Sequence, residues 1–485
     1  MDLDHATCHR IISARDARYD GKFFTCVKTT GIYCRPICPA RTPAEENCEF
    51  APSAAAAEEA GYRACLRCRP ESSPDLGAWR GTSSTVSRGL RLIEDGALDQ
   101  GSVTDLADRL GVGERHLRRL FRQHLGATPI AVAQTRRVLL AKQLIHQTSL
   151  PMTEIAMASG FGSLRRFNET FTALYGKPPG SLRRGSGESE NGLVLTLTYQ
   201  PPYDWEQILA FLSLRAMTGV EAVENGVYKR ILRLGEQTGI INVSHAPEVS
   251  AIRIEASLPD TAALPGVIAK VRRVFDLGAD PAAIAEVLSA DPVLAPMVEK
   301  RPGLRLPGAW DGLEIGVRAI LGQQVTVKAA TTIASRLVAK YGTRVETGNG
   351  LTHAFPNAQT LAGADIVGLG MPQKRADAIS ALARLAVEHP HLFEGGADPD
   401  ELYAALTALP GIGPWTANYM AMRAARATDA FIEGDLIVRK NFSRGGEMIS
   451  PKALAEHSAK WRPWRAYAVM HLWASSGDET EGENS

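Results

Sequence analysis

All seven cysteines of the 485-residue sequence lie at or before position 68, and none follows. This absence excludes a disulfide framework through most of the chain, and an odd number fits such a framework poorly. The cysteines are Cys8, Cys26, Cys34, Cys38, Cys48, Cys65 and Cys68. Their crowding into one short segment predicts a metal site in a small N-terminal module.

The sequence also lacks long apolar runs and an excess of charge of either sign. No stretch approaches the roughly 20 apolar residues that a membrane-spanning helix needs, and the charged N-terminus lacks the apolar core of a signal peptide. We therefore expect a cytoplasmic protein without a membrane partner. With 54 basic and 53 acidic side chains the net charge is +1, so a nucleic-acid surface has to come from local clustering.

Composition and hydrophobic periodicity divide the chain into four modules and an acidic tail. The third module combines strand-period stretches, LVLTLTY, GIINVSH and SAIRIEASL, with the helical GVIAKVRRVFDLG, whereas the second and fourth have helical patterns. The predicted fold class is therefore multidomain α+β. The predicted modules span 1–76, 80–184, 193–300 and 301–474, with a flexible linker at 185–192 and a disordered tail at 475–485.

The second module contains an internal repeat that predicts paired helices. Gly111 recurs 49 residues later as Gly160, and the apolar spacing around each glycine fits two short helices joined by a turn. Ser102 and Asp105 have the spacing of a capping box at the start of the first copy. The repeat thus predicts two helix–turn–helix units in an all-α domain.

Local charge indicates what these helices bind. Residues 86–184 carry 15 basic and 8 acidic side chains, a net charge of +7. A solvated basic face on an ordinary helical bundle is the alternative, but the repeated unit favours DNA. The module resembles the AraC-type DNA-binding domain, which implies binding to double-stranded promoter DNA. The candidate DNA-binding residues are Arg115, Arg118, Arg119, Arg122, Arg165 and Arg166.

The cysteine spacing fits a tetrahedral zinc site. Cys34 and Cys38 are separated by three residues, and Cys65 and Cys68 by two, with 26 residues between the pairs. Paired short spacings with a longer loop are typical of a four-thiolate Zn²⁺ site. From the spacing alone, a purely structural zinc that carries out no chemistry is the favoured interpretation.

The sequence that flanks these cysteines indicates that the site carries out a reaction. DGKFFTCVKTTGIYCRPICPAR and AGYRACLRCRP closely resemble the N-terminal domain of Ada-type methylation-responsive regulators. The resemblance implies one Zn²⁺ on all four cysteines and an irreversible methyl transfer from a DNA phosphotriester to Cys34. Arg35 is a candidate phosphate contact. A zinc-bound thiolate needs no separate base, and its methylation would reduce repulsion from DNA. We expect the remaining cysteines, Cys8, Cys26 and Cys48, to be packing residues.

The fourth module contains a second DNA-binding motif. LPGIGPW lies between two helical runs and predicts a helix–hairpin–helix, in which Gly411 and Gly413 let backbone amides approach a phosphate. The hairpin carbonyls are candidates for binding a monovalent cation. By itself this motif indicates DNA binding without sequence specificity and does not establish catalysis.

Residues 193–474 closely resemble the helix–hairpin–helix DNA glycosylases of the AlkA type, on YQPPYDW, LGMPQKRADAI, LPGIGPWTANY and WRPWRAYAVMHLW. The resemblance implies a TBP-like α+β domain, an all-α glycosylase domain, and Asp435 as the catalytic carboxylate. Trp415, Tyr419 and Trp473 then line the base pocket. From the residues alone, a helix N-cap is the favoured interpretation of Asp435, and core packing is the favoured interpretation of the three aromatic residues.

Two positions depart from the glycosylase pattern. Gln324 occupies the position of the leucine wedge that fills the gap left by a flipped base, and Gly434 replaces a second aspartate beside Asp435. Because no cysteine follows Cys68, we also expect no alkylguanine methyltransferase domain.

The sequence therefore predicts a bifunctional alkylation-damage protein. It would hydrolyse the N-glycosidic bond of bases such as 3-methyladenine and 7-methylguanine in double-stranded DNA, and carry a zinc methyl acceptor with an AraC-type regulator domain. The alternative is a methylation-responsive regulator whose glycosylase domain only binds DNA. The sequence does not indicate protein partners.

Overall fold

The computed structural model describes residues 4–74, 84–183, 193–348, 350–444 and 446–476. The predicted linker at 185–192 and all but the first two residues of the predicted tail lie outside these ranges. The chain divides into two compact units. The first unit comprises Met1–Gln200, Ala246–Ala269 and Leu277–Ala279, and the second comprises Pro201–His245, Lys270–Asp276 and Asp280–Ser485. Among the described residues, no helix has the length and apolarity to cross a membrane.

The N-terminal module is a small sheet flanked by two helices. The strands are β1 (Phe24–Val27), β2 (Ile32–Cys34), β3 (Cys48–Ala51) and β4 (Arg63–Ala64), and the helices are α1 (His5–Ala14) and α2 (Ala54–Glu59). The strand order is β3-β1-β2-β4. The β2–β4 pair is parallel and the other pairs are antiparallel. Phe24 and the fully buried Tyr33 form its core, which is small, as expected for so short a module.

The predicted double helix–turn–helix is confirmed. Its helices are α3 (Ser84–Glu94), α4 (Ala97–Gln100), α5 (Val103–Arg109), α6 (Glu114–Leu125), α7 (Pro129–Gln147), α8 (Met152–Ala158) and α9 (Leu164–Tyr175). Gly111 and Gly160 make the two turns with φ of 69° and 84°, a region that glycine adopts without strain. Ser102 and Asp105 form the predicted capping box.

The predicted α+β module contributes strands to both units. Its strands are β5 (Leu193–Thr198), β6 (Glu221–Glu224), β7 (Val227–Leu234), β8 (Gln237–Ala246) and β9 (Ala251–Ser257), and its helices are α10 (Trp205–Ser213) and α11 (Leu264–Val274). In the first unit β5 pairs with β9, and in the second β6, β7 and β8 form an antiparallel meander. The periodicity analysis did not identify β6 and β7, although Asn225 and Gly226 at their turn are a typical hairpin pair.

The remainder of the second unit is helical, as predicted. Its helices are α12 (Pro281–Leu288), α13 (Ala295–Lys300), α14 (Gly312–Leu321), α15 (Val327–Tyr341), α16 (Ala358–Ala362), α17 (Gln373–Glu388), α18 (Pro399–Thr407), α19 (Pro414–Arg423), α20 (Leu436–Ser443), α21 (Pro451–His457) and α22 (Arg465–Ala474). A short pair, β10 (Thr343–Arg344) and β11 (His353–Ala354), joins them. Gly316 lets α14, α17 and α19 pack closely, because a Cβ there would lie 2.7 Å from Leu382 and 2.9 Å from Met420.

The turn glycine of the second helix–turn–helix unit provides a stability test. In Gly160→Ala, the new Cβ would lie 2.5 Å from the Asp99 carboxylate, which bonds Arg136. Together with the left-handed backbone, this should lower the free energy of unfolding by at least about 1–2 kcal/mol. Native-state amide exchange over residues 84–183 measures the change. Gly162→Ala, with no atom within 4 Å of the new Cβ and no positive φ, should be nearly neutral, and equal losses would contradict the steric explanation.

Candidate functional site

The four paired cysteines meet at one point of the N-terminal module. Cys34 ends β2 and Cys65 follows β4, so the parallel pairing of these strands brings the two segments together. The four Sγ atoms of Cys34, Cys38, Cys65 and Cys68 lie within 4.8 Å of one another. A tetrahedral Zn²⁺ with Zn–S bonds of about 2.3 Å needs sulfur atoms about 3.8 Å apart. The donor set and its spacing therefore fit a structural type of zinc site.

Thiols this close cannot all ionise without a cation between them. Hydrogen bonding from Cys34 lowers the pKa of Cys38 to about 7, whereas bonding with Cys38 and then Cys65 raises the pKa of Cys34. The pKa of Cys65 is lowered and that of Cys68 is raised by the same network. A bound Zn²⁺ would supply the positive charge that keeps all four as thiolates at neutral pH.

Burial separates the four ligands into two classes. Cys65 and Cys68 are buried, with 8% and 7% of their surface exposed, whereas Cys34 and Cys38 are only partly buried. A reaction with a large partner such as DNA therefore has access to Cys34 or Cys38. The other cysteines of the chain, Cys8, Cys26 and Cys48, are all buried, and burial raises the pKa of Cys26 to about 12.

The guanidinium of Arg35 is held inside the module. Its Nε donates to Asp20 at 2.9 Å, and its Nη1 donates to Ser72 at 2.8 Å and to the Cys68 carbonyl at 3.3 Å. Only 11% of the Arg35 side chain is exposed. These contacts brace the second ligand pair, a role that the sequence did not suggest because Asp20 lies fifteen residues earlier. The phosphate contact of Arg35 stays a prediction.

The predicted DNA-binding arginines lie on the second helix of each helix–turn–helix unit. Arg118 is half-buried and pairs with Glu114 at 2.7 Å, and Arg165 is exposed and pairs with Glu169 at 2.7 Å. Exposed ion pairs of this kind are weak, so both arginines can exchange these partners for phosphates at little cost. The other arginines, Arg115, Arg119, Arg122 and Arg166, are exposed.

In the second unit, Asp435 lines a cavity of about 420 Å³, and the three predicted aromatic residues, Trp415, Tyr419 and Trp473, line the same cavity. Its carboxylate accepts hydrogen bonds from Trp415 Nε1 at 2.9 Å and Trp473 Nε1 at 3.2 Å. It also caps α20, since Oδ1 accepts from the Val438 backbone N–H at 2.9 Å. The two interpretations of Asp435, a helix cap and a site residue, are thus compatible. A carboxylate can accept roughly four hydrogen bonds, and these three donors occupy three of those positions and hold the Asp435 carboxylate in one orientation.

The aromatic residues of the pocket form a connected stack. Trp415 and Tyr419 are parallel, with centroids 5.2 Å apart and an interplanar angle of 6°, and Trp473 lies 6.2 Å from Tyr419. Trp415 and Trp473 are partly exposed, unlike Trp461, which is fully buried core. A cavity of this size with stacked faces and one fixed carboxylate suits a flat, electron-poor ring.

The structure adds pocket residues that sequence reasoning missed. The guanidinium of Arg215 lies 3.7 Å from the centroid of Phe211, and that of the buried Arg423 lies 4.7 Å from it. Arg423 Nη1 also donates to the Tyr419 hydroxyl at 2.7 Å. Burial lowers the pKa of Arg423 to about 10, which leaves it charged at neutral pH. Phe211 and Arg215 occur in an ordinary apolar helical pattern, which gave no signal.

A buried ion network also lines this cavity. Glu221 and Glu314 bond both Arg230 and Arg318. Although burial raises the pKa of Glu221, the charges of Arg318 and Arg230 outweigh it and lower that pKa to about 2. Glu221 therefore stays ionised at neutral pH, and the mutual ion pairs of the four side chains restrict the movement of this wall of the pocket.

The predicted DNA-facing loops flank α14 and α19. Gln324 is exposed and has a φ of 56°, a left-handed conformation that is uncommon outside glycine. Next to it, Gln323 Nε2 donates to the Gly411 carbonyl and to Thr416 Oγ1, both at 3.1 Å. Gly411 has a φ of 83° and Gly413 is the N-cap of α19. Gln323, the neighbour of the predicted wedge residue Gln324, is therefore tied to the hairpin. The monovalent cation stays a prediction.

Comparison with known proteins finds four different family models along the chain. Family models match in four segments: the metal binding domain of Ada over 7–71, a helix-turn-helix domain over 106–185, the AlkA N-terminal domain over 194–311, and the HhH-GPD superfamily of base excision DNA repair proteins over 317–463.

Two relatives and one solved structure show which proteins the chain is similar to. The chain is 42% identical over 483 residues, 98% of this chain and 97% of the relative, to the "Probable bifunctional transcriptional activator/DNA repair enzyme AlkA" of Mycobacterium tuberculosis. It is 37% identical to the DNA-3-methyladenine glycosylase 2 of Escherichia coli, over 59% of this chain and 98% of the relative. The 3-methyladenine DNA glycosylase structure from Archaeoglobus fulgidus shares the fold, with a TM-score of 0.51 and 23% identity over 57% of this chain and 96% of that one.

If the four clustered cysteines bind zinc, replacing one of them should lower zinc affinity, whereas replacing a cysteine outside the cluster should not. Cys68→Ala removes one ligand and should lower zinc affinity by more than about 100-fold, since even residues that only orient ligands commonly cost 10–100-fold. Cys26→Ala is the matched control, because Cys26 is buried in the same module but outside the cluster. Zinc content and release to a chelator measure both. Equal zinc loss in the two variants would contradict the four-cysteine site.

Proposed function

Since the chain belongs to the family of bifunctional transcriptional activator and DNA repair proteins of the AlkA type, we propose specific roles for the residues of its two sites. The protein is a DNA-3-methyladenine glycosylase that also carries an Ada-type zinc domain for methyl transfer and an AraC-type helix-turn-helix regulator domain. It holds Zn²⁺ and acts on DNA. The functional division that we propose follows the predicted modules at 1–76, 80–184, 193–300 and 301–474.

The observation that carries the glycosylase assignment is the Asp435 carboxylate, fixed by Trp415 and Trp473 beside an aromatic cavity. In the proposed reaction the flipped base stacks on Trp415 and Tyr419, where the electron-poor ring of an alkylated purine gains cation–π attraction. The glycosidic bond breaks and its electron pair leaves with the base. Asp435 stabilises the oxocarbenium-like sugar, and its one remaining acceptor position orients or deprotonates the attacking water.

Asp435→Asn tests this role without disturbing the helix cap, because asparagine caps helices as well as aspartate does. We expect release of 3-methyladenine from methylated DNA to fall by about 100- to 1000-fold through loss of the negative charge. Chromatography of the released bases measures it. Glu433→Gln, two residues earlier and outside the lining of the cavity, should retain wild-type rates. Equal release by Asp435→Asn and wild type would leave a domain that only binds DNA.

In the zinc domain we propose that Cys34 is the methyl acceptor. Its thiolate, which a bound Zn²⁺ would keep deprotonated, would attack the methyl carbon of a DNA phosphotriester. An S–C bond would form, and the C–O bond would break with its electron pair retained by the phosphodiester. Four thiolates exceed the charge of Zn²⁺ by two negative charges, and methylation removes one of them. The regulator domain then meets less repulsion from the DNA backbone. The need for reduced thiols and DNA supports a cytoplasmic location.

Mass spectrometry tests the acceptor assignment. After incubation with methylated DNA, the Cys34 peptide should gain the mass of one CH₂ group. The partly exposed Cys38 serves as the internal comparison, because burial does not distinguish it from Cys34. A modified Cys38 would reassign the acceptor, and an unmodified protein with zinc still bound would reduce the site to a structural role.

A further inference from the structure

The zinc module and helix α7 of the regulator domain share a buried interface within the first unit. Leu139 of α7 packs against the apolar cluster that contains Phe24 and Tyr33. Glu58 of α2 accepts hydrogen bonds from the Tyr33 hydroxyl at 2.9 Å and from Thr135 of α7 at 2.6 Å. Burial raises the pKa of Glu58, and the two hydroxyl donors offset part of that desolvation. The contact is therefore specific as well as apolar.

Lys142 of α7 reaches the backbone of a zinc ligand through this interface. Its side chain is fully buried, and its Nζ donates to the Cys65 carbonyl at 3.2 Å and to Glu71 at 2.8 Å. Glu71 is also bonded by Arg69 at 3.1 Å. The ammonium further lies 5.8 Å from the ring centroid of Tyr175, the last residue of α9. One side chain thus touches the ligand loop (residues 65–68), the segment after it, and helix α9. Helix α9 is the second helix of the second helix–turn–helix unit and is called the second recognition helix below.

A fully buried lysine is costly, because desolvating an ammonium takes several kcal/mol unless partners replace the water. An apolar side chain of similar length would fill the same space without that cost. The ammonium pairs with the buried carboxylate of Glu71, and beyond that ion pair it adds a hydrogen-bond donor to the carbonyl of the metal ligand Cys65. This placement favours a role in the zinc centre over packing alone.

We propose that Lys142 is a positioning residue of the methyl acceptor, supplied by the regulator domain. It holds the Cys65 carbonyl and so fixes the ligand loop on which the zinc geometry depends. The acceptor is complete only when α7 is docked on the zinc module. Because Lys142 also contacts Tyr175, zinc loading and the placement of the second recognition helix are coupled. The proposed role of Lys142 in methyl transfer rests on the proposed acceptor function of Cys34. The contacts of Lys142 with the zinc module do not depend on that function.

Lys142→Met in the full-length chain tests the proposal. Loss of an outer contact to a metal ligand commonly costs 10–100-fold, so zinc release to a chelator should be about 10- to 100-fold faster. In cadmium-substituted protein, the cadmium NMR signal should shift, since removal of a nearby charge changes the electron density on the thiolates. Lys177→Met, which removes an exposed lysine after α9, is the control. Wild-type zinc release and an unshifted signal in Lys142→Met would overturn the proposal.

A second measurement uses the unmodified protein and does not depend on a variant folding. Amide exchange of α7 is compared between the zinc-loaded and the chelated wild-type chain. Coupling through Lys142 predicts that protection around Lys142 falls when zinc is removed, whereas that of α20 in the second unit does not change. Unchanged protection in α7 would overturn the inference. Failure of methyl uptake with normal coupling would instead reject Cys34 as acceptor and leave the coupling standing.

Discussion

Mutual repulsion among four thiolates is the constraint on which the first unit depends. Their sulfur atoms lie within 4.8 Å of one another, in a module whose apolar core is too small to offset the repulsion of ionised thiols. A divalent cation bound by the four thiolates removes this repulsion and holds the two ligand segments together. The same cation keeps a thiolate reactive at neutral pH. Stability of the module and nucleophilicity at its surface therefore have one physical origin.

The second unit solves a different electrostatic problem, that of holding a carboxylate in a largely apolar cavity. Three N–H groups from Trp415, Trp473 and Val438 replace water around Asp435. Two of these donors belong to side chains whose faces also line the cavity. The aromatic residues thus both hold the carboxylate and offer a surface to a flat ligand. In the same lining, Glu221 and Glu314 each pair with Arg318 and with Arg230, and these ion pairs restrict the movement of that wall.

Much of the fold was predictable because its signals are local. Cysteine spacing, the turn glycines Gly111 and Gly160, and the hairpin around Gly411 each act over a few residues, and the structure has the corresponding turns. That Asp435 both caps α20 and lines the aromatic cavity was not predictable, because the cavity is built from residues that are distant in sequence. The partners of Arg35 and the cationic contacts of Phe211 depend on residues distant in sequence. No periodicity encodes such contacts, so they emerged only from the three-dimensional arrangement.

The cysteine cluster and the aromatic cavity belong to separate compact units, and their proposed reactions differ in how often one chain can carry them out. A thiolate that keeps its methyl group reacts once, so the number of phosphotriesters it can record equals the number of protein molecules. The pocket releases its product and is ready again, so its output grows with time. A chain that has spent its acceptor still carries an unaltered pocket. Under these proposed roles, a chain that has recorded one phosphotriester can continue to excise alkylated bases.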